Sequence, residues 1–451
     1  MHAPRGRALL RDLYRPLPRI VRAEGVYLYD EDGRRYLDGA GGASAVNNIG
    51  HGRERVAEVM ARQARTVAFT PSFCFSSGPI EELADLTASL TPGDLNNVWF
   101  VSGGSEATEN AVKIAHQHFI ARGMPTKQLI IARWQSFHGN TLGALGYGGH
   151  TYRRRPYMGM YQNQPHINPA FPYRCAYMRG GGTHCRCDLS CAVELERAIH
   201  RQGAAHVAAF IAEPVVGAAL GAVPAPPGYF QAIREICDRN DVLFIADEVM
   251  TGFGRTGKAF GIDHWGVVPD LMACAKGMAA GYAPLGAVVV SDRVLAPILA
   301  ARHNLVGGHT YAAHTLSCAV GVEVLRIMIE EKLVEHSACI SAYLLGRLER
   351  LRDHPLVGDV RGLGLMCGIE LVMDKADKRP FPPERAIGSM VLEESLKRGV
   401  IVYPGSGTVD GVAGDHIKLT PPLILTEAQA DELVAGLTGA LDTVAESVAG
   451  L

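Results

Sequence analysis

The first candidate site is a glycine-rich turn in the stretch VWFVSGGSEATENAVKIA. A strand is predicted to end at Val101, and Ser102–Ser105 turn the chain into a helix that starts near Glu106. The backbone N–H groups of such a turn, together with the positive end of the helix, form a binding site for phosphate. Gly104 would let an anion approach the backbone closely, and Ser105 adds a hydroxyl group. The alternative is that these residues only cap the helix.

Two ionisable side chains follow later strands. In LFIADEVMTGFGRTG, Asp247 and Glu248 stand at the carboxyl end of an apolar run, where open α/β sheets bind ligands. A carboxylate buried there needs a cation or a protonated ring as partner, although Asp247 could instead cap the next turn. In PDLMACAKGMAAGYAPLGAV, Lys276 emerges from an apolar segment. Such surroundings favour a neutral amine and Schiff-base chemistry, and the alternative is a surface lysine.

These three features together describe one ligand, pyridoxal 5′-phosphate (PLP). This cofactor requires a phosphate site, a carboxylate beside its ring nitrogen and a lysine that forms a Schiff base with its aldehyde. Asp247 would keep the ring nitrogen protonated, and Lys276, once displaced by the substrate amine, could move the proton at the substrate Cα. In WQSFHGNTLGA, Phe137 could stack on one ring face while Val249 covers the other. Phe137 could equally be a core residue, and His138 a hydrogen-bonding loop residue.

The elements that must position these residues alternate between strands and helices. Apolar runs such as HVAAFIAEP, VLFIADEV and LGAVVVS are separated by helical stretches such as GYFQAIREICDRND. This alternation predicts an α/β fold with a mostly parallel sheet covered by helices on both faces. Later amphipathic helices and short strands predict a smaller α+β domain, completed by an N-terminal hairpin around Asp32 and Gly33. We expect an N-terminal segment of the small domain (1–55), a large PLP-binding domain (56–325) and a C-terminal small domain (326–451).

The composition limits the function further. The chain has 451 residues, of which 47% are hydrophobic and 20% charged, and its formal net charge is −2. This near-neutral balance argues against bulk electrostatic binding to nucleic acid or to an anionic membrane. The sequence has no apolar run long enough for a transmembrane helix and begins without the apolar segment of a secretory signal. We therefore expect a cytoplasmic protein.

Four of the ten cysteines lie close together in CAYMRGGGTHCRCDLSC, namely Cys175, Cys185, Cys187 and Cys191. With a neighbouring histidine they could bind zinc, but their spacing is not the paired C-x₂-C form. A disulfide is the second alternative, and reduced thiols in a surface insertion are the one we favour. None of the three would belong to the catalytic chemistry.

The series of motifs resembles the class III (ω-amino acid) aminotransferases, which are PLP enzymes of fold type I. Matching stretches cover nearly the whole chain, from YLDGAGGASAVNNIGH through SGGSEATENAVKIA, SFHGNT, AEPVVGAALG, ADEVMTGFGRTG, AKGMAAGYAPLGAV and GGHTYAAHTLSCA to PPLILTEAQ. The resemblance implies that Lys276 forms the Schiff base and that Asp247 pairs with the pyridine nitrogen. The cofactor-binding residues that it implies are Gly104, Ser105, Phe137, His138, Glu213, Asp247, Val249, Lys276 and Thr310.

The stretch GGHTYAAH by itself is compatible with a phosphate loop, a metal site at His309 and His314, or a polar loop before a helix. The resemblance favours a different role, in which Thr310 reaches the cofactor phosphate of a neighbouring subunit. Such a shared site implies a homodimer, alone or within a dimer of dimers, because each active site is incomplete in a monomer. We expect no metal in the active site.

Two residues depart from the family pattern. Met250 stands after Asp-Glu-Val, where many members have a glutamine that contacts the cofactor ring oxygen. Lys418 of HIKLTPPL stands where members that bind a substrate carboxylate often have arginine, and it lacks the bidentate guanidinium. We expect that Lys418 either pairs with Glu213 or holds a substrate anion at one point. The alternative is a lysine on an exposed strand face.

The favoured function is a transaminase with a ping-pong cycle through a Lys276 Schiff base. It would move an amino group from an amine or ω-amino acid to an α-keto acid or aldehyde. An aminomutase, racemase or decarboxylase on the same scaffold is the alternative. A non-catalytic binding protein or a nicotinamide dehydrogenase is disfavoured, because Lys276 and Asp247 are present and SGGSEA does not match G-x-G-x-x-G. The entrance could be lined by Asn47, Asn48 and the loop HTYRRRPYMGMY, although Arg153–Arg155 could equally be a solvated basic run.

Overall fold

The computed structural model describes residues 8–14, 17–177 and 188–449. Within these ranges the strands are β1 Ile20–Glu24, β2 Tyr27–Asp30, β3 Arg35–Asp38, β4 Leu95–Val101, β5 Leu129–Arg133, β6 His166–Ile167, β7 Val207–Ala212, β8 Val215–Val216, β9 Val223–Pro224, β10 Leu243–Asp247, β11 Leu271–Cys274, β12 Gly286–Ser291, β13 Val357–Gly362, β14 Cys367–Leu371, β15 Val400–Ile401, β16 Tyr403–Val409 and β17 Ala413–Leu419. The α-helices are α1 Glu54–Thr66, α2 Gly78–Leu90, α3 Gly104–Ala121, α4 Leu142–Tyr147, α5 Thr151–Arg154, α6 Ser190–Gln202, α7 Tyr229–Arg239, α8 Asp292–Ala300, α9 Thr315–Glu330, α10 Leu333–Glu349, α11 Ile387–Lys397 and α12 Glu427–Val448.

The largest sheet has the strand order β4-β12-β11-β10-β7-β5-β6. Neighbouring strands from β11 to β6 are parallel, whereas β12 is antiparallel to both β11 and β4. Every residue of β7 and β10 is buried, which explains why these strands are continuous apolar runs rather than alternating ones. The predicted mostly parallel sheet is confirmed, and β12 is its antiparallel exception.

The topology brings the carboxyl ends of five strands to one edge of this sheet. Strand β4 runs parallel to β11, because each is antiparallel to the β12 strand between them. The segments that follow β4, β5, β7, β10 and β11 therefore emerge together, although they are far apart in sequence. Open α/β sheets bind their ligands at this edge.

Two four-stranded sheets are built from the two ends of the chain. One has the order β13-β14-β17-β16, and the other has the order β1-β2-β3-β15. The predicted N-terminal hairpin is present as the antiparallel pair β2 and β3, and β3 continues the sheet by pairing in parallel with β15. The N-terminal segment thus shares a sheet with a C-terminal strand, while the domain boundaries after residues 55 and 325 stay a prediction.

A buried ion network links the turn after Phe171 to the sheet of β14. Glu370 on β14 is fully buried and accepts hydrogen bonds from Arg174 Nε and Arg361 Nη2, both at 2.8 Å, and from the Thr408 hydroxyl. The two guanidinium groups and the hydroxyl satisfy a carboxylate that would otherwise be costly to bury.

The last helix shows how local sequence sets an element boundary. The Thr426 hydroxyl accepts a hydrogen bond from the Gln429 N–H, and the Gln429 side chain accepts one from the Thr426 N–H, so that α12 begins with a capping box. Its Leu433, Leu437 and Leu441 side chains recur at i+4 spacing and are fully buried. Among the described helices, none combines the length and apolar character that crossing a bilayer would require.

Candidate active site

A cavity of about 420 Å³ opens at the edge where the carboxyl ends of the strands meet. Residues from six different chain segments line it. Those that had been predicted from the sequence are Gly104, Ser105, Phe137, His138, Glu213, Asp247, Val249 and Lys276. The fold therefore brings the three chemically active stretches into one site.

The glycine-rich turn after β4 forms one end of the cavity. Helix α3 begins at Gly104, two residues before the expected start, so Ser105 lies in its first turn and does not cap it. The Ser105 hydroxyl accepts a hydrogen bond from the Asn140 N–H at 3.1 Å. A Cβ atom at Gly104 would lie 2.8 Å from a Val249 methyl group, so the turn requires glycine there. The first N–H groups of α3 thus lie beside the cavity, where they suit an anion.

Asp247 and His138 form a buried pair at the base of the cavity. Asp247 Oδ2 lies 2.7 Å from His138 Nδ1, and Asp247 Oδ1 accepts a hydrogen bond from the Val249 N–H at 3.1 Å. Both side chains are almost completely buried. His138 Nε2 is also buried and has no hydrogen-bond partner among the described residues. His138 therefore fixes the orientation of the carboxylate that lines the cavity.

Glu248 is adjacent to Asp247 but has a different role. Its carboxylate accepts hydrogen bonds from the Gly261 and Ile262 N–H groups, at 2.8 and 2.7 Å, and from the Thr251 hydroxyl. Burial raises the pKa of Glu248 to about 7. Because successive strand residues point to opposite faces, only one of the two neighbouring acids lines the cavity. Glu248 instead anchors the turn at 261–262.

Lys276 follows β11 and has a strained backbone conformation. Its φ angle is 46°, in the left-handed region that residues with a Cβ atom rarely adopt. Burial lowers the pKa of Lys276 to about 8, although Asp247 and Glu213 act in the opposite direction. The surface-lysine alternative is wrong, because Lys276 lines the cavity. A strained residue with a shifted pKa in a cleft is typical of a functional site.

The side walls of the cavity are apolar. Phe137 is only partly buried and presents its ring on one side, while Val249 and Met250 line another part of the wall. The guanidinium carbon of Arg153 lies 4.9 Å from the centroid of the Phe137 ring. Phe137 is therefore not simply a core residue, since its ring has the cavity on one side and a cation nearby.

Glu213 and Lys418 introduce buried charge close to Lys276. Glu213 lines the cavity, its Oε2 has no hydrogen-bond partner among the described residues, and burial raises its pKa to about 7. Burial, together with the charge of Lys276, lowers the pKa of Lys418 to about 7. Lys418 is fully buried, so the alternative of an exposed strand face is wrong. Its Nζ lies 4.5 Å from the Tyr403 ring centroid and has no hydrogen-bond partner in the described part of the chain, so the direct pair with Glu213 is not formed.

The stretch GGHTYAAH lies on the loop between α8 and α9. Thr310 is exposed there and is not among the residues that line the cavity. The two histidines have separate partners. His309 Nε2 lies 3.0 Å from the Asn110 side chain on α3, whereas His314 accepts the Ser317 N–H at the start of α9. Within the described ranges no cluster of potential metal ligands is found.

The two asparagines expected at the entrance are buried inside the protein. The Asn48 amide donates to the Phe253 carbonyl at 2.7 Å and accepts from the buried Arg255 at 2.7 Å. Asn47 accepts from the Gly50 N–H at 2.8 Å. Neither lines the cavity, because both amides satisfy backbone or side-chain groups in the core.

Of the cysteine cluster, Cys185 and Cys187 lie outside the described residues.

Sequence reasoning missed several small residues that shape the cavity, including Gly139, Ala275 and Pro284. Gly139 has a φ of 141°, and a Cβ atom on it would lie 2.7 Å from the Ser105 hydroxyl oxygen. The glycine after Phe-His could have been a signal, because close packing of two loops requires residues without side chains.

The donors present fit PLP. The first turn of α3 offers N–H groups for a phosphate, and the carboxylate of Asp247 can face a protonated ring nitrogen. The Lys276 amine lines the same cavity, and the Phe137 ring provides an apolar surface for a flat heterocycle.

Comparison with known proteins decides the family. The family model described as "Aminotransferase class-III" matches residues 13–441. The chain belongs to the class III aminotransferases. As a member of this family it is a PLP-dependent transferase of fold type I, and an aminomutase, racemase or decarboxylase is not favoured.

Related proteins match this aminotransferase over almost its full length. YodT, an uncharacterized aminotransferase of Bacillus subtilis (strain 168), is 41% identical over 93% of each chain. A putrescine–pyruvate aminotransferase of Pseudomonas aeruginosa is 36% identical over 95% of this chain and 91% of its own. A thermostable (S)-enantioselective ω-transaminase from Thermomicrobium roseum superposes with a TM-score of 0.87 and 39% identity, over 95% of this chain and 93% of its own. A Pseudomonas jessenii ω-transaminase solved in complex with PMP has a TM-score of 0.88 and 32% identity, over 96% of this chain and 94% of its own.

Proposed function

We propose that this class III aminotransferase is an ω-type enzyme that takes an amino group from an amine or ω-amino acid and gives it to an α-keto acid or aldehyde. The observation that carries the proposal is the convergence of Lys276, Asp247 and the first turn of α3 on one cavity. The solved ω-transaminases and the putrescine–pyruvate aminotransferase among its relatives support the same substrate classes.

The residues of this chain divide the work between binding and proton transfer. The N–H groups of Gly104 and Ser105 would bind the cofactor phosphate, and the Asp247 carboxylate, oriented by His138, would hold the ring nitrogen in its protonated form. Bound PLP supplies an aldehyde that takes up the amino group and a ring that accepts the electrons released at the substrate Cα. Lys276 Nζ would bind the resting cofactor and, once displaced by the donor amine, take the proton from that Cα.

The apolar walls would complete the cofactor site. Phe137 and Val249 lie where they could contact the two faces of a flat ring, and a slot of this kind also excludes water from the reacting atoms. Met250, which replaces the glutamine of many family members, cannot donate a strong hydrogen bond to the ring oxygen. Glu213 would lie on the substrate side of the same cavity.

A homodimer with shared active sites is part of the proposal. Thr310 is exposed on a loop whose neighbour His309 contacts α3, the helix that begins at the phosphate end of the cavity. In a dimer such a loop could reach the phosphate bound by the partner. A cytoplasmic location, and a dimer of dimers as the larger assembly, are kept as predictions.

A donor panel tests the proposal. Diamines, ω-amino acids and simple amines would each be supplied with pyruvate and with 2-oxoglutarate, and formation of alanine or glutamate would be followed by chromatography. We expect amino transfer from at least one ω-amine class to pyruvate. Loss of the α-carboxyl group, or racemisation without amino transfer, would contradict it.

A further inference from the structure

The basic run Arg153–Arg155 does not form one solvated face. Because successive residues of a helix are rotated by about 100°, the three side chains of this run at the end of α5 enter different environments. Arg154 is buried and donates to the Gly148 carbonyl and, at 2.8 Å, to Asn163, while its Nη1 lies 2.8 Å from His166 Nε2. Arg155 is exposed. Arg153 is partly buried and lies against Phe137.

Arg153 and Lys418 do not line the cavity themselves but lie close to residues that do. The Arg153 guanidinium carbon is 4.9 Å from the Phe137 ring centroid, and the Phe137 ring lines the cavity. Lys418 lies close enough to Lys276 and to Arg153 for both charges to lower its pKa. Lys418 Nζ lies 4.5 Å from the centroid of the Tyr403 ring. The Tyr403 hydroxyl in turn interacts with Arg153. The two cations therefore come from different elements, α5 and β17, and both contact Tyr403.

Neither cation is neutralised by an ion pair in the described part of the chain. Lys418 is 0% exposed, and both its Nζ and Arg153 Nε are buried without a hydrogen-bond partner there. Glu213 is the carboxylate that acts on Lys418, and burial favours the uncharged form of Glu213 by raising its pKa to about 7. Buried cations without a partner are costly unless an anion binds beside them. Burial favours the neutral amine of Lys418 in the same way, by lowering its pKa to about 7. An anionic substrate group beside Lys418 and the Arg153 guanidinium would stabilise the charged amine.

We propose that Arg153 is a specificity-determining residue that binds the carboxylate of α-keto acid acceptors and ω-amino acid donors together with Lys418. Lys418 offers a single point charge, whereas the Arg153 guanidinium offers the planar fork that matches a carboxylate. Arg153 on α5 would thus provide the bidentate guanidinium group that Lys418 lacks. This inference rests on the proposed transaminase function.

Pairs of substrates that differ only in the carboxylate test this assignment. The donors are β-alanine and propylamine, and the acceptors are pyruvate and propanal, each measured with the wild-type holoenzyme, Arg153→Gln and Lys418→Met. Arg155→Gln is the matched control, because Arg155 is exposed and is not assigned to the site. Cofactor absorbance and the thermal midpoint show whether each variant is folded and loaded.

We expect Arg153→Gln to raise KM for pyruvate and β-alanine by about 10- to 100-fold, while KM for propanal and propylamine changes by less than about 3-fold. Arg155→Gln should match the wild type. If the two cations share one carboxylate, the double variant Arg153→Gln/Lys418→Met should lose less than the product of the two single effects.

Three results would overturn the assignment: equal changes for both members of a pair in Arg153→Gln, equal effects of Arg153→Gln and Arg155→Gln, or a wild-type enzyme that uses amines and aldehydes but no carboxylate substrate. Failure of the proposed function is a different result, because a wild-type protein without amino transfer to any acceptor would show it before any variant is compared.

Discussion

Nδ1 of His138 lies 2.7 Å from Oδ2 of Asp247, and both side chains are buried beneath the active-site cavity. The histidine comes from the loop after β5, and the aspartate ends β10. Their contact holds the carboxylate in one orientation at the place where a ring nitrogen would bind. The position of the Asp247 carboxylate in the site is therefore set by the tertiary contact with His138.

Replacement of Asp247 by asparagine should slow amino transfer severely. The variant keeps the size of the side chain but removes the negative charge that would hold a protonated ring. We expect the single-turnover rate with a saturating amine donor to fall by about 100-fold or more. Stopped-flow absorbance of the bound cofactor measures this rate.

Glu248→Gln provides the control for this experiment, since it removes the charge of the adjacent acid. Glu248 accepts hydrogen bonds from the 261–262 turn and does not line the cavity. We expect a lower thermal midpoint with a nearly unchanged single-turnover rate. Similar rates for Asp247→Asn and the wild type would remove Asp247 from the proposed role.

Capture of PLP by the cofactor-free enzyme should depend on pH through Lys276. Only the neutral amine can react with the aldehyde, and burial lowers the pKa of Lys276 to about 8. The capture rate should rise about tenfold per pH unit below that value and level off above it. Because the pKa of Lys418 is also lowered, to about 7, the profile is repeated in Lys418→Met. A rate that still rises steeply up to about pH 10 would show that the amine is not perturbed.

Thr310→Ala should weaken cofactor retention without unfolding the protein. If the hydroxyl donates to the phosphate of the partner's cofactor, its loss should raise the PLP dissociation constant by about 10-fold. Thr66→Ala, at an exposed helical threonine, is the control. Dialysis followed by cofactor absorbance measures retention, and sedimentation gives the oligomeric state. A fully active monomer would refute the shared site.

Glu370→Gln should destabilise the protein strongly. The substitution leaves the largely buried Arg174 without its carboxylate partner and Arg361 with only Asp359, which costs about 3–5 kcal/mol. Urea denaturation of the holoenzyme measures the free energy of unfolding. Glu349→Gln, which breaks an exposed pair with Arg352, should cost less than about 1 kcal/mol. Equal losses in both variants would mean that the buried network contributes little.

The sequence was sufficient to identify the stretches that carry the site residues. It was not sufficient to show which of their side chains face the cavity. The local pattern does not distinguish Asp247 from Glu248, and the family resemblance alone favoured Asp247. The fold shows that Asp247 lines the cavity while Glu248 anchors a turn. Lys276 could be singled out because an apolar strand and a glycine flank it. The buried network around Glu370 could not, since its partners come from residues far apart in the chain.

Lys418 and Arg153 illustrate the same limit. A lysine in the strand HIKL is compatible with either face, and the burial of this one depends on packing against Tyr403. Three successive arginines are typical of a solvated surface, yet the fold places Arg154 in the core, Arg153 against Phe137 and Arg155 in solvent. Long-range packing determines which of these side chains are buried. The periodicity of a few residues does not predict that packing.

The central claim is that Lys276 is the amine that binds the cofactor and moves the proton. The most direct measurement is a single-turnover reaction of Lys276→Ala, loaded with PLP, with a saturating amine donor. We expect the visible absorption band of the wild-type enzyme to be absent and the proton-transfer step to be slowed by several orders of magnitude. Methylamine added to the variant should restore part of the rate, because it supplies a free amine to the vacated space. A variant that keeps both the wild-type band and the wild-type rate would contradict the account.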